Sequence, residues 1–255
     1  MTQEPGSPSA VQRWGGKLAF GVEPSPRRYK LRLARYKALA EAVAEYVRER
    51  EGGPLALLDV GVGSGRSMRY IEGEGVADLI DFHGFDLKQT RLKSVYAPQQ
   101  WRLFQGDIQQ GTPFESGYFD IVLCEQVLEH LTHLTGVMNE IARVLKPNGL
   151  LILGVPIFPR GVRRLRALMV RLSGKWLGIT RSHLQSFDSP TIKSLICECH
   201  RFTIMRSYGV RILSGGLLSP LEDFLWWYRF NRWAGRVVPG LCTEIQIVAT
   251  RNRMP

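Results

Sequence analysis

Three carboxylates, each closing a short apolar run, are well placed to do chemistry: Asp59, Asp86 and Asp107. Asp59 stands two residues ahead of Gly61, Gly63 and Gly65. Glycines at alternate positions accept φ > 0 without cost and leave the main chain open to another molecule. A buried strand that turns through such a bend into a helix offers its backbone to a ligand. Asp86 follows about twenty residues later, the distance at which an acid takes both ribose hydroxyls in nucleotide-binding βαβ units. A second group lies after a fourth apolar run: Glu125, Gln126, Glu129 and His130. A carboxylate or imidazole there could remove the proton of a hydroxyl.

The spacing excludes the common dinucleotide fingerprint, because a G-x-G-x-x-G count from Gly61 puts Arg66 at the third glycine. The chain reads Asp59-Val60-Gly61-Val62-Gly63-Ser64-Gly65 instead, followed by Phe82-His83-Gly84-Phe85-Asp86-Leu87 and Trp101-Arg102-Leu103-Phe104-Gln105-Gly106-Asp107-Ile108. Then come Phe119-Asp120-Ile121-Val122-Leu123-Cys124-Glu125 and Val144-Leu145-Lys146-Pro147-Asn148-Gly149-Leu150-Leu151-Ile152-Leu153. In this order, over residues 55–156, the chain resembles the class I S-adenosylmethionine-dependent methyltransferases, type 11. Asn148 in place of a glycine is the one departure, and asparagine also tolerates the left-handed region.

That resemblance implies a fold, a cofactor and a set of site residues. The fold would be α/β, a Rossmann-like doubly wound sheet of seven mostly parallel strands with an antiparallel last strand, plus a helical lid. S-adenosyl-L-methionine would be the cofactor. Asp59, Gly61, Gly63 and Gly65 would face its methionine end, Asp86 and Leu87 the ribose, and Asp107 and Ile108 the adenine. Glu125 and Gln126 would stand near the methyl. Base-amino methyltransferases of related fold carry an Asp/Asn-Pro-Pro-aromatic turn where this chain has Cys124-Glu125-Gln126-Val127, so oxygen is the expected acceptor atom. Similar O-methyltransferases of ubiquinone biosynthesis and of small-RNA ends carry E-x-x-E-H with a divalent metal. Here the run is Gln126-Val127-Leu128-Glu129-His130. Loss of the first carboxylate removes a hard-cation ligand, and no metal is expected. Glu129, His130 and His183 are the catalytic candidates. His130 reads equally as a structural histidine at a helix start.

The elements that must position these residues follow from periodicity. Residues 29–50 carry Leu33, Tyr36, Leu39, Ala40, Val43 and Val47 at helical spacing, and Gly52-Gly53-Pro54 ends the helix. Strands and helices then alternate to Pro156, the pattern of a covered parallel sheet. Residues 189–200 read as a helix capped by Ser189 with Pro190 at its first position. Residues 201–208 and 243–250 read as an antiparallel pair. Residues 1–28 form an irregular leading segment, and residues 29–255 the methyltransferase domain.

Two insertions fall outside that core. Residues 159–182 hold Arg160, Arg163, Arg164, Arg166, Arg171, Lys175 and Arg181 and no acid, with Val162, Leu165, Leu168, Met169, Leu172 and Trp176 on one helical face. Such a basic amphipathic segment suits an anionic membrane, or a lid over the site. Residues 215–240 hold Phe224, Trp226, Trp227, Tyr228, Phe230 and Trp233. These aromatics could wall a pocket, sit at a lipid interface or pack on the first insertion.

At 255 residues and 44% apolar, the chain can bury one sizeable core. Its net charge of +11 would suit phosphates, but no nucleic-acid-binding module is recognisable. Cys124, Cys197, Cys199 and Cys242 lack metal or C-x-x-C spacing and fit reduced thiols in the cytoplasm, at or near the membrane's cytoplasmic face. The first residues carry no apolar signal core, so secretion is not expected. The expected acceptor is an oxygen of a glycan, a lipid or a secondary metabolite. RNA-directed methylation and a catalytically silent nucleotide-binding scaffold are the alternatives, and a nicotinamide oxidoreductase is disfavoured by Arg66.

Overall fold

The computed structural model describes residues 31, 34–88, 101–157, 185, 187–212 and 216–253. Seven strands form one sheet: β1 (Leu55–Val60), β2 (Ile80–Asp86), β3 (Arg102–Gln105), β4 (Phe119–Glu125), β5 (Leu145–Pro156), β6 (Phe202–Val210) and β7 (Glu244–Arg251). Their order across the sheet is β3-β2-β1-β4-β5-β7-β6. β1 to β5 pair in parallel. β7 runs antiparallel to both β5 and β6, so it alone reverses. The Rossmann-like, mostly parallel seven-stranded sheet is the one the sequence implied.

Five helices accompany it among the described residues: α1 (Ala34–Arg48), α2 (Arg66–Glu72), α3 (Leu134–Val144), α4 (Ser189–Glu198) and α5 (Leu225–Val237). Successive strand residues point to opposite faces, and each face has its own helices. Leu57, Ile121, Leu123 and Ile152 meet Leu39, Val43 and Val47 of α1 and Met68 and Ile71 of α2. Leu58, Val122, Leu151 and Ile247 meet Met138 and Ile141 of α3 and Ile192 and Ile196 of α4. Strands buried on both faces read as continuous apolar runs, as β4 and β5 do.

Three local expectations are corrected. Asp188, not Ser189, caps α4: its carboxylate accepts the Thr191 N–H at 2.9 Å, and Pro190 follows inside the first turn. Gln126 to His130 do not open a long helix. They include a 3₁₀ turn, Leu128–His130, and α3 begins only at Leu134. The first helix, read over 29–50, ends at Arg48, short of the glycine pair. Asn148 takes φ +60°, as its place in the turn demands. The leading segment 1–28, the basic insertion 159–182 and His183 lie outside the described residues. Among the described residues no helix is long and apolar enough to cross a membrane. The four cysteines are free thiols.

Candidate active site

The parallel strands bring their C-terminal ends to one edge. Val60 is level with Phe85 on one side and Cys124 on the other, so Gly61, Asp86 and Glu125 each stand one step beyond. Glu125 is in register with Gly154, and Gly154 with Gln246. A single row of the sheet thereby assembles residues more than a hundred positions apart.

The glycine bend has the left-handed backbone the spacing required. Gly61, Gly63 and Gly65 take φ of +74°, +55° and +73°. Gly61 and Val62 donate their N–H groups to Phe85 O at 2.7 and 3.3 Å. A Cβ on Gly61 would lie 2.4 Å from the Val127 side chain, so that glycine is needed for packing. A Cβ on Gly63 would meet nothing nearer than Gly61 O at 3.6 Å, so the backbone there faces open space. A ligand can reach it.

Asp86 organises the bend from the next strand. Its Oδ2 accepts the Gly63 N–H at 3.1 Å and its Oδ1 the Lys88 N–H at 3.0 Å. Leu87 beside it is 59% exposed, an apolar side chain standing at the sheet's polar edge. Asp107 accepts the Gln109 N–H at 2.9 Å and opens a short turn in which Ile108 is buried. Gln109 then ties this loop to Thr132 and His133 after β4.

Of the methionine-end candidates, Asp59 is buried while Glu125 and Gln126 are half-buried. Asp59 accepts a hydrogen bond from Ser67 Oγ of α2, and burial with Asp86 nearby pushes its pKa up to about 7. Glu125 accepts a hydrogen bond from Gln246 Nε2, and that same amide donates to Arg35 O at 3.2 Å. Glu125 Oε2 is sealed from water and has no partner. Burial holds this carboxyl up to about 8, although Arg35 opposes the shift. Gly154 makes room for it, since a Cβ there would lie 2.1 Å from Glu125 Oε2. Gln126, at φ +57°, donates its N–H to Gly154 O at 2.8 Å.

Glu129 is the buried catalytic candidate, 1% exposed. Its Oε1 lies 4.0 Å from His130 Nε2, whose ring is half in solvent, and its Oε2 has no partner. Burial raises its pKa to about 7, with His130 and Arg35 pulling the other way. Its main-chain oxygen receives the Gln185 N–H at 3.0 Å, which pins the chain just after the basic insertion to the turn after β4. No group of three or more His, Cys, Asp or Glu suited to a metal occurs among the described residues.

Four contributors were not legible beforehand: Arg35, Arg211, Glu244 and Gln246. Arg35 Nη1 donates to Glu244 Oε2 at 3.3 Å, and Arg211 donates to the other oxygen of Glu244. The Nε atoms of both arginines are buried without a partner. One sign existed in the sequence: Glu244 and Gln246 alternate with Ile245 and Ile247 in a strand that is otherwise apolar. Polar residues on one face of such a strand must look at something polar. Separately, a hollow of about 440 Å³ opens between α1, β6 and α5, bordered by Leu31, Ala42, Tyr208, Arg211, Arg232 and Arg236. The glycine bend does not border it.

These tips suit a cationic nucleoside ligand by their chemistry. Several carboxyls are crowded where burial alone keeps them protonated near neutrality, and a positive group among them would restore their charge. Arg35 adds a buried donor for an anionic group.

Comparison with known proteins agrees. Residues 58–153 match the family model Methyltransf_11, a methyltransferase domain. The demethylmenaquinone methyltransferase of Tropheryma whipplei (strain Twist) is 32% identical over 102 residues, 38% of this chain and 39% of that protein. The ubiquinone biosynthesis O-methyltransferase of Sodalis glossinidius is 28% identical over 108 residues, 41% of this chain and 43% of its own. The chain thus spans about two fifths of the length of these relatives. Among solved structures, the YcgJ protein of Bacillus subtilis superposes with a TM-score of 0.58 at 14% identity, covering 86% of this chain and 99% of that one, a likeness of fold.

Proposed function

From a chain that carries a class I S-adenosylmethionine-dependent methyltransferase domain of type 11, we propose an O-methyltransferase acting on a hydroxyl of a small glycan, lipid or secondary-metabolite acceptor. The observation that carries the oxygen reading is Glu129: a buried carboxyl with one unpartnered oxygen, poised near neutrality by its surroundings. An acceptor amine that is neutral needs little help to be methylated, whereas a hydroxyl gains from losing its proton as it reacts. Similarity to an O-methyltransferase of ubiquinone biosynthesis supports an oxygen acceptor.

The residues divide the work. Asp86, with Leu87, would hold the ribose and one face of the adenosine, and Asp107 and Ile108 the adenine edge. The amides of Gly61, Gly63 and Gly65, with Asp59 and Glu125, would surround the methionine end, and Arg35 Nε would pair with its carboxylate. Gln126, fixed at positive φ against Gly154, would shape the wall nearest the reacting carbon. S-adenosylmethionine supplies a methyl that its sulfonium makes electrophilic. Glu129 would take the proton of the acceptor hydroxyl, and His130, partly in solvent and 4.0 Å from Glu129 Oε1, would pass it on. Burial around Glu129 keeps water from competing for the methyl.

Calorimetric titration with S-adenosylmethionine in two buffers of different ionisation enthalpy tests the cofactor half. Binding should release protons at pH 7.5, because a cation beside the methionine-end acids Asp59 and Glu125 re-ionises them. Neutral S-adenosylhomocysteine should release fewer. Binding of NAD in their place would overturn the reading. A tritiated methyl donor offered with lipid, glycan and RNA extracts tests the acceptor half. Label in an acid-stable O-methyl product is expected, and label confined to RNA would favour the nucleic-acid alternative.

A further inference from the structure

We infer that the outer face of α5 is a docking surface for an anionic lipid bilayer. The inference stands on surface chemistry and does not require the methyl-transfer reading. α5 is held firmly by its inner face. Trp227, Tyr228, Asn231 and Ala234 are buried, with the two aromatics against Leu31, Ala34 and Val210. Asn231 accepts the Ile212 N–H at 3.0 Å, and Arg232 grips Glu41 of α1 at 2.6 and 2.9 Å. Gly235 lies so near β6 that a Cβ on it would come within 2.0 Å of Gly209 O. The inner face anchors the helix to α1 and β6.

What remains is an outward stripe that a water-facing helix would not carry. Trp226, Trp233 and Val237 are 57%, 60% and 59% exposed, and Phe230 joins them at 36%. They recur at i, i+4, i+7 and i+11, one face of a helix. Phe224 and Leu241 extend the patch at either end, both exposed. The outer rings are joined through the buried Trp227, by the pairs Phe224–Trp226, Trp226–Trp227, Trp227–Phe230 and Phe230–Trp233. Arg229 and Arg236 flank the stripe in solvent. From Phe224 to Thr243 there is no acid at all.

Charge chooses the occupant. A second copy of the chain, itself +11, would set these arginines against their own likenesses. An anionic headgroup layer instead meets the arginines, while tryptophan rings sit at the boundary between headgroups and acyl chains. Thirteen residues make a helix of about 20 Å, so α5 lies in the surface rather than crossing it. Because α5 packs beside the end of β6 where Val210 pairs with Glu244, the docked face borders the same edge of the sheet as the strand tips.

The test is co-sedimentation of the full chain with vesicles of phosphatidylcholine carrying about one-third phosphatidylglycerol, against pure phosphatidylcholine. Binding to the anionic vesicles, weakened by salt, is expected. The double variant W226S/W233S should lose at least about 10-fold in partitioning while melting within ~2 °C of the parent, since both side chains are exposed. R229E/R236E should lose the preference for phosphatidylglycerol. The inference fails if neither vesicle binds, or if W226S/W233S binds like the parent while R163E/R164E/R166E does not. It fails equally if the parent sediments as a dimer that W226S/W233S converts to a monomer, which would make the stripe a self-interface.

Discussion

A proton acceptor that is ionised only part of the time at neutral pH leaves its mark on rate. With the Glu129 carboxyl raised to about 7 by burial, the deprotonated form grows as pH climbs through that value. At saturating methyl donor, kcat/KM for the acceptor should therefore rise between pH 5.5 and 7.5 with a single ascending limb. Glu129→Gln should abolish the limb and lower kcat by about 10²–10⁴-fold. Glu125→Gln should keep the limb and raise the KM for the methyl donor, given the role proposed for it beside the methionine end, where Gln246 and Gly154 hold it. An unchanged limb in Glu129→Gln would move the proton acceptor elsewhere. The acids Asp59, Asp86 and Asp107 were readable from the chain because each ends an apolar run beside a glycine. Arg35 and Glu244 were not, being separated by more than two hundred residues and meeting only through the pairing of β7 with β5.

At the scale of the element, the glycine bend separates folding from binding. Gly61 and Gly63 share the left-handed conformation, so an alanine at either pays about 1 kcal/mol of backbone strain. Only at Gly61 does the new Cβ also collide with a packed side chain, Val127. Gly61→Ala should accordingly lower Tm several degrees further than Gly63→Ala. Gly63→Ala should fold, yet bind S-adenosylhomocysteine at least ~10-fold more weakly, because its methyl projects into the space open to a ligand. Equal affinity in Gly63→Ala and the parent would show that no ligand approaches that amide. Elements with strong periodicity, such as the helix and strands on either side of this bend, were legible in advance. The cap of α4 was less so: Asp188 and Ser189 are adjacent and both are good caps, and only the hydrogen bond to Thr191 chooses between them.

Over the whole molecule, the order of the sheet followed from alternation of strand and helix, while the direction of each insertion did not. The split of the aromatic segment into an inner face (Trp227, Tyr228) and an outer face (Trp226, Trp233) depends on where α1 and β6 stand, which composition alone does not encode. The buried acids have a consequence at this same scale. Asp59, Glu125 and Glu129 hold their protons to about pH 7, 8 and 7 in the folded chain, but ionise near 4 when unfolded. Above their unfolded values the native state binds more protons, so stability must fall as pH rises through the folded values. His83 acts in the opposite sense, its pKa lowered by burial, but only below its ordinary value of 6.5. Between pH 6.5 and 8.5 the three acids therefore dominate. Integrated over that span they amount to about 3.5 kcal/mol as a ceiling, or a fall in Tm of up to about 10 °C. A bound cation that keeps the acids ionised should flatten the slope, so thermal melts with saturating S-adenosylmethionine should change less over the same range. A Tm that rises from pH 6.5 to 8.5 without ligand would mean that these carboxylates are already paired in the native state.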